Sequence, residues 1–292
     1  MVEHGRSIDA VIALTEAGRH LCVGLDTDLR RIPTGVAPDR SPADRVVAFN
    51  SAIIDATSEV ASAYKPNIAF YEALGAEGFD ALARTITEAR LLAPGIPVIV
   101  DAKRGDIGST NAGYVTAIFD ELGADAVTVH PYLGREALAP FLERRESLIF
   151  VLARTSNPGA GEFQDLECDG IPLYRHVARA VARDWNGHDN CGLVVGATYP
   201  VELAEIRQDV TATLPLLIPG VGAQGGDLEA VIRCEVEAGS LRFLINAARS
   251  VLYASSGRDF AEAAGDEAQR LHATIGSLLE GLQPTTPNEA RP

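Results

Sequence analysis

Apolar and polar positions along this chain fall into alternating blocks. Short apolar runs occur at 21–26 (LCVGLD), 61–66 (ASAYKP), 97–103 (PVIVDAK) and 124–130 (ADAVTVH). Four more occur at 147–154 (SLIFVLAR), 191–197 (CGLVVGA), 215–220 (PLLIPG) and 241–248 (LRFLINAA). Their length and Val/Ile/Leu content predict strands. Between them, apolar residues recur at helical spacing. Ile8, Val11 and Ile12 share one helical face, with Ser7 expected as its cap and Gly18 at its end. Ser41-Pro42-Ala43-Asp44 is a strong helix start, followed by Val46, Phe49, Ile53 and Ile54. Further helices are expected over 72–92, through Tyr114, Ile118 and Leu122, over 134–145, 172–185, 200–209 and 227–236, and through Phe260, Leu271, Ile275 and Leu278. The stretch 155–170, rich in Gly and acid, reads as an irregular loop, and 283–292 as a disordered tail.

Eight strands alternating with helices predict a parallel sheet. Eight such units in 292 residues fit a closed (β/α)8 TIM barrel, taken as a single catalytic domain over 1–282. The alternative is an open doubly wound sheet, which would carry a GxGxxG turn after its first strand. The first strand here ends in GLDTD instead. The glycine-rich turn, with Gly222, Gly225 and Gly226, follows strand seven, and Arg249-Ser250 follows strand eight. Loops seven and eight are where barrels bind phosphate.

Composition narrows the function classes. A net charge of −15 argues against nucleic acid as the main partner. No apolar run approaches the ~18 residues of a membrane helix, and the N-terminus shows no signal-peptide pattern. Cys22, Cys168, Cys191 and Cys234 are scattered without metal-ligand spacing, which suggests reduced thiols in a cytoplasmic protein.

The chemistry concentrates in PVIVDAKRGDIGSTN, residues 97–111. Strand alternation puts Ile99, Asp101 and Lys103 on one side, Val100 and Ala102 on the other. Gly105 then breaks the strand, Asp106 lies in the loop, and Ser109-Thr110 are expected to cap the next helix. Two carboxylates thus flank one ammonium at a strand end. A solvated ion-pair cluster is the plain alternative, but unpaired charge on a buried strand is costly. In a barrel, Asp26, Lys65, Asp101 and Lys103 would converge on one face. Singly, Asp26 could cap a turn, Lys65 could snorkel to water, and Arg154 and Ser156 could tie down their loop. His130 reads as a satisfied polar side chain, not a metal ligand.

DAKRGDIGST resembles the signature of the orotidine 5′-phosphate decarboxylase family, with Asp101, Lys103 and Asp106 in an Asp-x-Lys-x-x-Asp pattern and Thr110 in its place. YKPNIAFYEALG and the KRGD wording resemble the bacterial type 2 branch; LCVGLD, RTSNPGA, PGVGAQGGD and NAARS match in type and order. The loops 28–41 and 157–171 are long and depart from compact members. The resemblance implies a decarboxylase of orotidine 5′-phosphate in UMP biosynthesis, acting without cofactor or metal. It implies that Asp26 binds the ribose hydroxyls, that Lys65 bridges ribose and carboxylates, and that Asp101 faces the substrate carboxylate. By the same resemblance, Lys103 would deliver a proton to C6, Ser156 would contact the pyrimidine, and Gln224, Ala248 and Arg249 would hold the phosphate. Asp106 and Thr110 would reach across a homodimer interface into the neighbouring site. Two alternatives remain: a metal-dependent sugar-phosphate decarboxylase or aldolase of the same superfamily, and a nucleotide-binding barrel without catalysis. The first would need adjacent carboxylates for Mg²⁺, whereas Ala102 precedes Lys103.

Overall fold

The computed structural model of the chain describes residues 6–221 and 226–282. Its eight parallel strands are β1 (Leu21–Gly24), β2 (Ala61–Lys65), β3 (Ile99–Arg104), β4 (Ala126–Val129), β5 (Leu148–Arg154), β6 (Cys191–Val195), β7 (Leu216–Pro219) and β8 (Phe243–Ala247). Hydrogen-bonded neighbours run in the order β2-β1-β8-β7-β6-β5-β4-β3. The ends of that order meet: Tyr64 N–H donates to Pro97 O at 3.0 Å, and Asp101 N–H to Pro66 O at 2.9 Å. These isolated bridges close the sheet into the expected (β/α)8 barrel.

Period-two alternation divides the core into two layers. Cys22, Ala63, Ile99, Ala126, Phe150, Val194, Leu217 and Leu244 fill the barrel interior. Ile8 and Val11, from the helix Ser7–Glu16, join that interior cluster and plug the mouth opposite the strand C-terminal ends. The outward residues, among them Val23, Val100, Val127, Val151 and Ile245, belong to a second cluster under the helices. Every strand is therefore apolar on both faces, which is why each reads as a continuous run and not as an alternating one.

Of the expected N-terminal helix caps, one forms and the others do not. Ser41 caps the helix Pro42–Thr57 as expected, its hydroxyl accepting Asp44 N–H at 3.1 Å. Ser7 does not cap: it is the first helical residue, and its hydroxyl donates to Glu146 O across the barrel base. Ser109 and Thr110 do not cap either, because the helix Gly108–Val115 begins before them. The helix expected over 72–92 is two helices, Ile68–Glu72 and Ala76–Leu92, broken at Gly75, whose φ of 71° suits glycine. The 155–170 stretch is not wholly irregular. It carries a short helix, Gly161–Gln164, and a strand, Glu167–Cys168, paired antiparallel with Ile171–Pro172. Buried Arg154 holds this insert by hydrogen bonds to Gln164 and Asp165. The tail 283–292 lies outside the described residues.

Candidate active site

The site begins with a distortion in β3. Its register against β4 shifts between Val100 and Arg104, and Lys103 takes φ 46° in the left-handed region. Such a backbone costs about 1–3 kcal/mol in a residue with a side chain. The Thr128 hydroxyl receives Lys103 N–H at 3.0 Å. The bulge returns the lysine side chain toward Asp101, two residues earlier on the same strand.

Asp101 is the hub. Its Oδ1 accepts Lys103 Nζ at 2.7 Å and the Thr128 hydroxyl at 2.8 Å; its Oδ2 accepts Lys65 Nζ at 2.9 Å. Lys65 also faces Asp26 Oδ1 at 3.8 Å. Lys65 is 3 % exposed and Asp101 8 %. Burial by itself would push the Asp101 carboxyl up, but Lys65 and then Lys103 outweigh it and hold the group well below the usual carboxylate range. Burial would likewise push the Lys65 ammonium down, and Asp101 and Asp26 reverse that, raising it above an ordinary lysine. Both groups are therefore ionised at neutral pH. The Lys103 side chain is half exposed, at the open edge of the array.

These charges line a pocket of about 370 Å³ at the strand C-terminal ends. Asp26, Lys65, Asp101, Lys103, Ser156, Ala248 and Arg249 all border it, so residues distant in sequence share one cavity. Two glycines set its walls. A Cβ on Gly24 would lie 2.5 Å from Ala248 Cβ, and one on Gly196 would lie 2.8 Å from Ser156 backbone atoms. Glycine there lets loop eight and loop five approach closely. Asp106 and Thr110 do not border this pocket. They follow β3 on the outside, Asp106 partly exposed and Thr110 exposed. Gln224, with Gly222 and Gly225, lies outside the described residues. His130 braces the turn after β3, its Nε2 3.0 Å from Gly105 O.

Thr128, Asn67 and Asn246 also border the pocket and were not singled out from sequence. Thr128 and Asn246 had a usable signal: each is a polar residue inside an apolar strand. Asn246 Oδ1 accepts the thiol of Cys22 at 3.6 Å. Burial pushes that thiol up to about 12, so it remains a donor at neutral pH. Among the described residues, no group of three or more His, Cys, Asp or Glu side chains is placed to hold a metal ion.

The model of the orotidine 5′-phosphate decarboxylase / HUMPS family matches residues 19–264, from the approach to β1 to beyond β8. The chain belongs to that family. It is 53% identical over 258 residues to an orotidine 5′-phosphate decarboxylase of Herpetosiphon aurantiacus, covering 88% of this chain and 92% of that one. The similarity to the orotidine 5′-phosphate decarboxylase of Thermomicrobium roseum is 52% over 258 residues, covering 87% and 89%. Among solved structures, Leishmania donovani OMP decarboxylase superposes with a TM-score of 0.78 at 37% identity, covering 94% of this chain and 99% of that one. No helix among the described residues is long and apolar enough to cross a membrane.

The depressed Asp101 carboxyl gives a pH signature. Its ionic contacts stabilise the fold above the unfolded-state value of about 4 and fade as pH falls below it, because the unfolded chain then binds the proton first. Asp101→Asn should cost roughly 3–5 kcal/mol at neutral pH, the cost of breaking a buried pair. Urea denaturation of both proteins should show that gap constant from about pH 5 to 8 and narrowing below about pH 4. A gap that widens on acidification would contradict the ionised hub.

Proposed function

We infer that this chain decarboxylates orotidine 5′-phosphate to UMP and carbon dioxide through the Lys65–Asp101–Lys103 array. Decarboxylation is the reaction of the family to which the chain belongs; the assignment of its atoms is the proposal. The observation that carries it is the Lys103 ammonium, 2.7 Å from Asp101 at the open edge of a buried charge cluster.

Losing carbon dioxide from C6 breaks a carbon–carbon bond and leaves its electron pair on C6. No adjacent carbonyl can spread that charge. A fixed ammonium beside C6 stabilises it before solvent could reorganise. Lys103 then transfers a proton to C6 and regains one from water. Asp101 holds Lys103 in place, and it opposes the substrate carboxylate until that group becomes neutral carbon dioxide. Asp26 and Lys65 take the ribose hydroxyls, Ser156 takes the pyrimidine, and Arg249, the backbone near Ala248 and Gln224 take the phosphate. Those remote contacts supply binding energy that orients the reacting carbon. Residues 1–282 act as one catalytic domain, and the four free thiols suit a reducing cytoplasm.

Replacing Lys103 by Ala removes both the stabilising charge and the proton. Turnover, followed by ultraviolet absorbance, should fall further than the ~10²–10³-fold that losing one transition-state hydrogen-bond donor costs. UMP should still bind, since the phosphate grip lies on other loops. Substantial residual turnover would remove Lys103 from the role.

Catalysis is proposed to need no metal. The Lys65 ammonium stands between Asp26 and Asp101, where a divalent ion would otherwise bridge them. Rates measured in excess EDTA and in Mg²⁺ should therefore agree. Loss on chelation, restored by Mg²⁺, favours the sugar-phosphate alternative.

The working unit is proposed to be a homodimer, with Asp106 and Thr110 completing the partner's site. Both stand outside their own pocket, and Ile107, Tyr132 and Leu133 on the adjoining loops expose 59%, 88% and 42% of their surface. An apolar patch of this kind fits a self-association face. Lys103→Ala and Asp106→Asn, each inactive and each shown dimeric by light scattering, test this on subunit exchange. Sharing across the interface should restore roughly a quarter of all sites. If Asp106 serves its own barrel, the mixture stays inactive.

A further inference from the structure

Asp26 enters the pocket with little to hold its side chain. Its Oδ1 is buried without a hydrogen-bond partner, and Lys65 Nζ is 3.8 Å away. The backbone around it is fixed by the neighbouring strand β2 and by side chains that do not border the pocket. Leu25 N–H donates to Lys65 O at 3.0 Å, and Leu25 O accepts the Tyr71 hydroxyl at 3.3 Å. The Thr27 hydroxyl donates to Asn50 Oδ1 at 2.5 Å, and Asn50 Nδ2 donates to Tyr71 Oη at 3.0 Å. On the other side stands Tyr253. Its hydroxyl accepts Asp28 N–H at 2.7 Å and donates to Asp26 O at 3.4 Å.

Tyr253 differs from the other braces in where it comes from. It ends the short helix Arg249–Leu252, one turn past Arg249, and its N–H donates to Arg249 O at 3.3 Å. Its ring is held on two sides: it stacks near Phe49 at 6.2 Å, and the Arg31 guanidinium lies 3.6 Å from its centroid. The hydroxyl therefore cannot swing away from residues 26–28 without unstacking the ring. One hydroxyl ties the segment carrying Asp26 to the helix that begins with Arg249.

We propose that Tyr253 is a positioning residue that acts through Asp26, fixing its carboxylate for the ribose from the helix that presents Arg249. This rests on the reading of Asp26 and Arg249 given above. The physical reason is geometric. A carboxylate whose own oxygen makes no hydrogen bond depends on its backbone for aim, and an error near 1 Å in a substrate-orienting group costs much of its effect. The dual role of the Tyr253 hydroxyl, accepting from residue 28 and donating to residue 26, fixes both ends of that short segment.

A double-mutant cycle on the full chain tests the proposal, with kcat and KM measured on orotidine 5′-phosphate for Tyr253→Phe, Asp26→Asn and the pair. Tyr253→Phe keeps the ring and its stacking and removes only the hydroxyl. It should lower kcat/KM about five- to tenfold, the worth of one hydrogen bond. In the Asp26→Asn background the same change should cost less than about twofold, since residues acting through one group are not additive. A general loosening of structure would lower activity equally in both backgrounds. If Asp26→Asn is impaired and Tyr253→Phe is either silent or fully additive, the positioning role is wrong while the Asp26 reading stands. If Asp26→Asn has wild-type kinetics, the Asp26 reading fails and takes this inference with it. Should Tyr253→Phe melt early, the cycle is run below its transition, with circular dichroism confirming the fold.

Discussion

Two lysine ammonium groups share the single carboxylate of Asp101, and the rest of the site is arranged to make that arrangement stable. Taking a carboxylate and an ammonium out of water costs several kcal/mol per ion, recovered only when geometry is close and the remaining lone pairs are satisfied. Here the conditions are met. Asp101 receives Lys65, Lys103 and the Thr128 hydroxyl, all between 2.7 and 2.9 Å. Lys65 gains a second carboxylate in Asp26. Removing Asp101 would leave the buried Lys65 with Asp26 alone at 3.8 Å, so the carboxylate is the member on which the array depends.

The array also lies on the weakest seam of the barrel. β2 and β3 meet through isolated bridges, while the other neighbouring strands pair as ladders. The Lys65–Asp101 ion pair crosses that seam, with Lys65 at the end of β2 and Asp101 within β3. Charges needed for chemistry therefore also help to close the fold. The strained Lys103 backbone belongs to the same compromise. The bulge that breaks the β3–β4 register turns the lysine over Asp101, and Thr128 on β4 ties both residues together.

Around this centre, the long loops are anchored away from the pocket and not across it. Arg154, fully buried, lies 3.9 Å from the Tyr199 ring centroid and binds Gln164 and Asp165 of the insert after β5. Arg31 packs the loop after β1 onto Tyr253. Aromatic rings under guanidinium groups give such loops a fixed seat at low cost in desolvation, because guanidinium is weakly hydrated. The polar groups left facing the cavity are then free for a ligand.

Eight apolar runs at regular intervals, with helical spacing between them, were enough to predict a (β/α)8 barrel, because strands buried on both faces must be apolar throughout. Alternation within 97–103 predicts Asp101 and Lys103 on one side, but the strand is not regular there: the bulge after Val100, with Lys103 at φ 46°, is what brings the lysine over Asp101. The motif wording placed the chain in its family. Other features depend on contacts between distant segments and could not be read locally. Ser7 looked like a cap and serves instead as a donor to Glu146, because the barrel base lies against it. The short helix and hairpin of the 157–171 loop are tied back to the end of β5, where the buried Arg154 guanidinium reaches Gln164 and Asp165. Thr128 joins the array only because β4 lies beside the bulge in β3, and Tyr253 reaches Asp26 only because β8 pairs with β1. Sequence determined which residues carry charge and which strands carry them; the closed barrel decided which of those charges meet, because only closure brings β2 against β3 and so Lys65 against Asp101.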